Sequence, residues 1–282
     1  MATKVGVGDI RSAAAAVGLA DRPVCVHASL KSFGSVDGGA DTVVQGLLEV
    51  GATFVAPTST FRFCMAPKPA GARQWPFNSE DDGSIPASGT APVAPYDIGA
   101  EFIDPAMGII PKAVLRRPGR VRGFHPLSSF TAVGPDAQRI IAPQTPTEVY
   151  APLQQLVARE GAIVCMGVGL DSLTLLHLAE RQAGLRLLHR WAWLAEGGVV
   201  EAVHGGCSRG FERLADAVKD AETTIVVGES LWRVFDAAAL LALATEGFLS
   251  DPGAGVCGIE GCVRCRDQLA YALSRRVGQE PR

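Results

Sequence analysis

The chain has 282 residues, of which 48% are hydrophobic and 20% charged, so it can bury the core of one large domain. Its formal net charge of -3 excludes the globally basic surface that is typical of nucleic-acid-binding proteins. We expect no membrane span, because no run of about 18 apolar residues occurs, and the odd number of cysteines, seven, argues against disulfides and for a cytoplasmic location.

The first third of the chain predicts an α/β unit. Residues 8–19 have the spacing of an amphipathic helix rather than of a targeting segment, and residues 23–28 form a β-rich run after a proline. A turn-rich loop then leads to a predicted helix at 41–50 and a predicted strand at 52–57. Residues 58–122 are irregular and rich in proline and glycine, which is typical of a binding loop or a lid.

The rest of the chain continues this alternation of helices and strands, which predicts an α/β fold over residues 1–282. A glycine turn leads into the helix that begins near residue 172, where Asp171 or Ser172 is a predicted cap. The predicted elements are strands at 130–133, 162–168, 186–194, 198–203 and 223–227, and helices at 135–142, 151–159, 172–182, 210–219, 235–246 and after residue 265.

The segment from His27 to Gly34 follows a predicted strand and precedes a predicted helix. In α/β sheets, ligands bind at such loops, beyond the carboxyl ends of the strands. The backbone N–H groups and Lys31 suit phosphate or amide oxygens, although neither a Walker A nor a G-x-G-x-x-G spacing is present. The alternative, which composition alone favours, is an ordinary connection whose serines cap a helix.

A histidine lies in the helix that follows the glycine turn. Thr174, His177 and Glu180 are three residues apart, so they share adjacent parts of one helix face. A histidine side chain titrates near neutral pH and can act as a general base. The alternative is a half-buried histidine with Glu180 as a solvated neighbour.

A second histidine, His125, lies in the segment HPLSSF with two serines. Its side chain and the hydroxyl groups are suited to hydrogen bonds with a ligand. A purely structural turn explains the same residues equally well, and this alternative stays open.

Four cysteines near the C-terminal end form a candidate metal site. Cys262 and Cys265 have C-x-x-C spacing, and Cys257 with Cys207 or His204 completes a set of four ligands for structural zinc. The alternative is a group of reduced thiols without a metal. Neither a G-x-S-x-G elbow nor an H-E-x-x-H motif is present, so a serine hydrolase and a zinc protease are excluded.

Several segments together resemble the aminoglycoside 3-N-acetyltransferase family. They are, in chain order, VCVHASLKSFGSVDGGADTVVQGLLEVGATFVAPTST at 24–60, HPLSSFTAVGPDAQRI, GVGLDSLTLLHLAE, GGCSRGFERL and GCVRC. The resemblance implies a single αβα domain with a mixed sheet and irregular insertions that shape the substrate pocket. It further implies transfer of an acetyl group from acetyl-CoA to the 3-amino group of a polycationic aminoglycoside, antibiotic resistance, and a monomer or homodimer.

The resemblance also assigns roles to individual residues. His177 would be the general base, Glu212 the carboxylate that orients it, and Asp171 and Glu180 would hold substrate ammonium groups or support the histidine. Thr174 or backbone N–H groups would stabilise the oxyanion. The predicted contacts to acetyl-CoA are His27, Ser29, Leu30, Lys31, Ser32, Phe33, Gly34, Ser129 and Phe130. The cysteines resemble a cluster seen in some members, which supports the zinc hypothesis.

The sequence departs from the family in two places. Leu173, Thr174 and Leu175 replace an Asn-Thr-Thr-like segment, and residues 61–100, which would shape the substrate pocket, match poorly. Acidic residues between positions 80 and 104 suit ammonium groups, although a solvated acidic loop is the alternative for most of them. They are Glu80, Asp81, Asp82, Asp97, Glu101 and Asp104. Two other functions therefore stay open: the same chemistry on a biosynthetic amine, and a non-enzymatic zinc-containing structural or interaction protein.

Overall fold

The computed structural model describes residues 4–65, 68–79 and 94–276, and within them seven strands form one mixed sheet. The strand order is β3-β4-β2-β1-β5-β9-β8. The strands are β1 Pro23–Ala28, β2 Thr53–Pro57, β3 Val121–Arg122, β4 Phe130–Val133, β5 Ala162–Met166, β8 Glu222–Val227 and β9 Ser230–Asp236. Strands β2, β1 and β5 are parallel at the centre, and antiparallel strands extend the sheet on both sides.

Helices cover both faces of this sheet. They are α1 Val7–Ala16, α2 Ala40–Leu48, α3 Ile109–Arg116, α4 Ala137–Ile141, α5 Ala151–Val157, α6 Leu175–Gln182, α7 Ala215–Val218, α8 Ala237–Ser250 and α9 Val263–Arg276. In β1, Val24 and Val26 face the core formed with α1, α2 and α3, whereas Cys25 faces the core formed with α4, α5, α6 and α8. Because side chains alternate along a strand and both sides are covered, the central strands are apolar throughout. The predicted αβα arrangement is therefore confirmed.

A separate hairpin stands beside the main sheet. Its strands are β6 Leu188–Leu194 and β7 Gly198–His204, which pair in the register Leu188↔His204 to Leu194↔Gly198. The connecting turn uses Gly197 and Gly198 at positive φ, as the glycine pair predicts. The backbone N–H of Tyr96 donates to the carbonyl of Trp193, so the hairpin also anchors part of the irregular region.

The observed elements differ from the predicted ones in several places, β3 among them. The region predicted as irregular contains α3, whose Pro111 is tolerated because it lies in the first turn. Strand β9 was not predicted, because the helical pattern of α8 extends into the end of the strand. Its last residue, Asp236, caps α8 by accepting hydrogen bonds from two backbone N–H groups. The predicted helix at 210–219 is a 3₁₀ turn at Phe211–Leu214 followed by the short α7.

Two further findings concern the predictions from sequence. None of the helices in the described ranges combines the length and the apolar character that a membrane crossing requires. Glu80, Asp81 and Asp82 lie outside the described residues.

Candidate active site

A cavity of about 310 Å³ opens where the central parallel strands β1, β2 and β5 end. The carboxyl edge of a parallel sheet is the place where α/β proteins bind ligands. The polar side chains that line the cavity are His27, Ser59, Asp171, Ser172, Thr174, His177 and Ser208. Ser59 and Ser208 were not among the predicted residues. The cysteine next to Ser208 marked that segment for a metal and not for the cavity.

An imidazole–carboxylate pair lies at this cavity. His177 and Glu180 are on α6, and Nδ1 of His177 lies 2.7 Å from Oε2 of Glu180. His177 is 8% exposed and Glu180 only 1%. Because a carboxylate accepts hydrogen bonds, Nδ1 carries the proton of the neutral imidazole and the lone pair is on Nε2. The side chain of His177 thus presents a base to the cavity.

Packing fixes the orientation of this imidazole. The ring of Tyr150 stacks on His177 at 6.2 Å and 11°, and Phe211 meets it edge-on at 4.8 Å. Gly205 lies against the ring so closely that a Cβ there would be 2.5 Å from its Cγ and Cδ2 atoms. The site therefore requires glycine at this position for steric reasons, and the ring has little freedom to turn.

The carboxylate of Glu180 has both of its oxygens hydrogen-bonded inside the protein. Oε2 is bonded to His177, and Oε1 accepts from Nε2 of Gln268 at 2.7 Å. These contacts favour the alternative that Glu180 supports the histidine over the prediction that it holds a substrate ammonium group. Gln268 was missed, because the cysteines before it indicate a metal site and no residue near it indicates a contact with His177 or Glu180.

Glu212 was predicted to orient His177, but the structure places its carboxylate in other contacts. Its Oε1 accepts from the backbone N–H of Leu170, and its Oε2 lies 3.6 Å from Arg233. This carboxylate thus stabilises the 3₁₀ turn Leu170–Ser172 that precedes α6. Because Glu180 lies three residues after His177 on α6, its carboxylate is closer to the imidazole than that of Glu212, which comes from another segment.

Two polar side chains line the cavity at the start of α6. Asp171 is exposed and supplies the only carboxylate of the lining within the described part of the chain. Thr174 is half-buried at the N-cap position, without a side-chain cap hydrogen bond. Asp171 and Ser172 do not cap α6 as predicted, since they belong to the preceding 3₁₀ turn.

His27 lines the same cavity from the end of β1. Burial lowers the pKa of His27 to about 4. Its Nε2 lies 3.8 Å from Sγ of Cys25. At neutral pH this side chain is uncharged, so it offers hydrogen bonds and not positive charge.

The loop after His27 is held by its own side chains. The hydroxyl of Ser32 donates to the carbonyl of Ser29 at 2.7 Å and lies 2.8 Å from the hydroxyl of Ser230. Phe33 is 1% exposed and packs edge-on against Trp232. The predicted direct contact between Phe33 and a cofactor is wrong for this reason, and Ser32 has a structural role.

The remaining residues of the loop differ in exposure. Lys31 is exposed, and Ser29 and Leu30 are half-buried. Gly34 has φ of +76° and lies against the carboxylate of Glu229, so a side chain there would be strained. The predicted contacts of Ser29, Leu30, Lys31 and Gly34 with a cofactor stay predictions.

The HPLSSF segment forms a structural turn. Nδ1 of the fully buried His125 accepts from the backbone N–H groups of Leu127 and Ser128, and its Nε2 lies 2.8 Å from the carbonyl of Val203. Ser129 is 1% exposed and hydrogen-bonds Thr58. Phe130 is equally buried in the core. The predicted cofactor contacts of Ser129 and Phe130 are therefore wrong.

The four predicted metal ligands converge. The sulfur atoms of Cys207, Cys257, Cys262 and Cys265 all lie within 4.8 Å of one another, and all four cysteines are free thiols. Tetrahedral zinc with bonds of about 2.3 Å separates its sulfur ligands by roughly 3.8 Å. The distance of 3.6 Å between Cys257 and Cys265 fits this value.

The pKa shifts within the cluster differ in sign, since burial raises the pKa of Cys262 and the hydrogen bond with Cys207 raises that of Cys265. A hydrogen bond from Cys265 lowers the pKa of Cys207 to about 5. The thiolate is the form that binds a metal. Cys207, and not the alternative ligand His204, completes the group.

The predicted acidic residues of the irregular region do not line the cavity where they are described. Oδ1 of Asp97 accepts from the backbone of Gly99, and Glu101 lies 3.8 Å from Arg116. Asp104 accepts from the backbone of Phe61, and burial raises its pKa. Their carboxylates thus take part in local contacts, at the surface for Asp97 and Glu101 and half-buried for Asp104.

The chain is similar in sequence to known aminoglycoside acetyltransferases. A family model described as aminoglycoside 3-N-acetyltransferase matches residues 25–248. Aminoglycoside N(3)-acetyltransferase IX of Micromonospora chalcea is 34% identical over 177 residues, which cover 60% of this chain and 59% of that protein. Aminoglycoside N(3)-acetyltransferase VII of Streptomyces paromomycinus is 34% identical over 172 residues, covering 60% and 57%. The matched part spans less than two thirds of these relatives.

Solved structures share the fold over most of the chain. Aminoglycoside acetyltransferase AAC(3)-IVa in complex with gentamicin has a TM-score of 0.76 at 20% identity and covers 95% of this chain and 99% of its own. AAC(3)-Xa has a TM-score of 0.70 at 26% identity, with 88% and 93% covered. The binary complex of AAC-IIIb with CoASH has a TM-score of 0.70 at 22% identity, with 88% and 97% covered.

Proposed function

Because the chain belongs to the aminoglycoside 3-N-acetyltransferase family, we propose that it transfers the acetyl group of acetyl-CoA to the 3-amino group of an aminoglycoside, with His177 as the general base. The observation that carries the proposal is the buried His177–Glu180 pair at the cavity beyond the parallel strands. The complexes of two structural neighbours, one with gentamicin and one with CoASH, support the choice of substrates.

The base acts on an amine that is mostly protonated at neutral pH. Nε2 of His177 removes a proton from the amine, directly or through water, and the nitrogen then attacks the thioester carbonyl. The new C–N bond forms and the C–S bond breaks, and the leaving CoA sulfur takes up the second proton that the attacking nitrogen loses, so CoA departs as the thiol. The imidazolium then returns its proton to solvent. Glu180 stabilises the imidazolium through Nδ1–H, and its burial strengthens that interaction.

Two further residues of the cavity have proposed roles. We infer that the hydroxyl of Thr174 stabilises the oxyanion of the tetrahedral intermediate, together with backbone N–H groups of the loop after β1. Asp171 binds an ammonium group of the acceptor, since its exposed carboxylate lines the cavity. Direct transfer needs both substrates bound together, so positioning supplies much of the rate.

A cavity of about 310 Å³ is at the lower end of the usual size of ligand pockets. We infer that it holds the reacting ends of the two substrates, while their larger parts extend outside it. The larger part of acetyl-CoA then extends from the cavity past His27 to the loop after β1. There the exposed or half-buried residues are accessible for contact: Ser29, Leu30, Lys31 and Gly34. Lys31 supplies the positive charge for a phosphate.

We propose separately that the four cysteines bind zinc as a structural ion and take no part in acetyl transfer. Support comes from the four mutually close free thiols. Elemental analysis of the purified protein is expected to find zinc, and Cys257→Ser to reduce its content. Protein that is fully folded and free of metal would refute this assignment.

The test of the main proposal is a thiol-release assay with acetyl-CoA and structurally distinct aminoglycosides. We expect release of CoA thiol with at least one of them, and a loss of about a thousandfold or more in His177→Gln. Circular dichroism and the melting temperature must show that the variant is folded. Full activity of His177→Gln would remove the base assignment, and turnover only with other amines would change the acceptor. Expression in a sensitive bacterium tests whether the activity gives resistance.

A further inference from the structure

The buried carboxylate of Glu180 depends on a residue from another helix. Gln268, on α9, donates from Nε2 to Oε1 of Glu180 at 2.7 Å and is 9% exposed. A hydrogen bond to a buried charged group is among the stronger ones, and losing it leaves the carboxylate oxygen without a donor. The amide therefore supplies Oε1 with a side-chain donor and limits rotation of the carboxylate.

The cysteine cluster holds Gln268 in place from one side. Cys265 is three residues before Gln268 in the first turns of α9, so the two side chains lie on adjacent parts of the same helix face. Cys262 directly precedes this helix. Contacts at the cluster thus determine where the first turns of α9 lie relative to α6.

The same cluster also reaches the imidazole from the other side. Cys207 follows Gly205 and Gly206 in the chain. Gly205 packs against the ring of His177, and a Cβ on Gly206 would lie 3.8 Å from Oε1 of Gln268. The cluster therefore joins two of the segments that contact the His177–Glu180 pair from outside α6.

We propose that Gln268 is a positioning residue, which fixes the carboxylate of Glu180 and through it the tautomer and orientation of His177, and that the cysteine cluster keeps Gln268 in this position. The inference rests on the proposed function, in which His177 is the general base. Gln268 itself does not line the cavity, so it acts only through Glu180.

One more ionisable group contacts the pair. Tyr150 stacks on His177, and its pKa is raised by burial and by the charge of Glu180. It stays neutral across the range in which the enzyme would be assayed. A pH effect of changes at Gln268 is therefore not due to this phenol.

The first variant, Gln268→Leu, keeps a side chain of similar volume and removes the donor. We expect kcat to fall tenfold to a hundredfold, which is about the effect of one hydrogen bond to a charged group, with KM for both substrates unchanged. The matched control is Asp267→Asn. Asp267 is adjacent and 5% exposed, but it accepts from the backbone of Ser79 and does not touch Glu180. A purely structural effect would appear in both variants.

The second variant, Gln268→Glu, gives a readout that a structural role does not produce. At low pH the introduced carboxyl is protonated and donates to Glu180, so activity relative to the native protein is retained. As pH rises, it ionises against a second carboxylate, and relative activity falls. The amide of Gln268 does not titrate, so the native protein lacks this fall. An unchanged profile would overturn the inference.

Nitrogen NMR of labelled histidine tests the inference without turnover. The Nδ1–H signal of His177, assigned by its absence in His177→Gln, is expected in the native protein and is expected to weaken in Gln268→Leu. Cys257→Ser, which opens the cluster, is expected to cause the same change, and an unaltered signal in folded Cys257→Ser would refute the anchoring role.

The two levels of failure differ in their outcome. Native kcat in Gln268→Leu beside an inactive His177→Gln overturns this inference and leaves the proposed function intact. Absence of any acetyl transfer by the native protein contradicts the proposed function, and the NMR comparison then decides the role of Gln268 alone.

Discussion

Replacement of Gly205 by alanine tests whether packing sets the position of the His177 imidazole. The added Cβ would lie 2.5 Å from Cγ and Cδ2 of His177 and 2.5 Å from the hydroxyl oxygen of Tyr150. An ordinary contact requires at least 3.4 Å, so the ring must move by about 1 Å. A misplacement of this size costs about a hundredfold in rate, which equals about 2.7 kcal/mol in the barrier.

Gly206→Ala is the control for this prediction. Its Cβ would meet Oε1 of Gln268 at 3.8 Å, an ordinary contact, and it leaves the ring of His177 untouched. In the thiol-release assay we expect kcat of Gly205→Ala to fall about a hundredfold and that of Gly206→Ala to stay within about twofold of the native value. Equal activity of the two variants would refute the argument that the ring has no room to move.

Two more predictions follow from groups that line the cavity. Asp171→Asn is expected to raise KM for the aminoglycoside about tenfold with kcat for acetyl transfer nearly unchanged, because an exposed carboxylate binds an ammonium group with modest energy. Steady-state kinetics at several salt concentrations measure this effect. A fall in kcat alone contradicts the prediction. Burial lowers the pKa of His27 from 6.5 to about 4, so the unfolded chain takes up this proton first, and the free energy of unfolding falls by about 3 kcal/mol as pH drops from about 6.5 through about 4. Urea denaturation over this pH range is expected to show a shallower fall in His27→Gln, and identical slopes would show that His27 does not contribute.

Local periodicity predicted the central strands and the helices α2, α5 and α6, because each depends on neighbours within a few residues. Strand β9 and helix α3 escaped the same reasoning. In β9 a cap residue is also the last residue of the strand, and in α3 a proline lies in the first turn. In the sequence, the cap residue and the proline each look like a break in the strand or helix pattern. Only the position of the adjacent element shows that they belong to its end or its first turn.

The candidate site, too, was predicted only in part from the sequence. The three-residue spacing of His177 and Glu180 placed them on one helix face, and the spacing of the last two cysteines marked a cluster. The choice between Glu180 and Glu212 as partner of the imidazole was wrong, since it depended on which carboxylate is buried. α9 covers Glu180 through Gln268, whereas Glu212 lies beside the exposed turn before α6.

The sequence by itself determined the αβα layering and marked His177 and the four cysteines as candidate site residues, because these depend on residue type and short-range spacing. Only the tertiary structure decided that Glu180 orients His177, that Ser129 and Phe130 are buried, and that Gln268 and Gly205 contact the pair. Gln268 is 88 residues from Glu180 in the chain. Contacts between such distant segments follow from how helices pack on the sheet, and local sequence patterns contain no information about them.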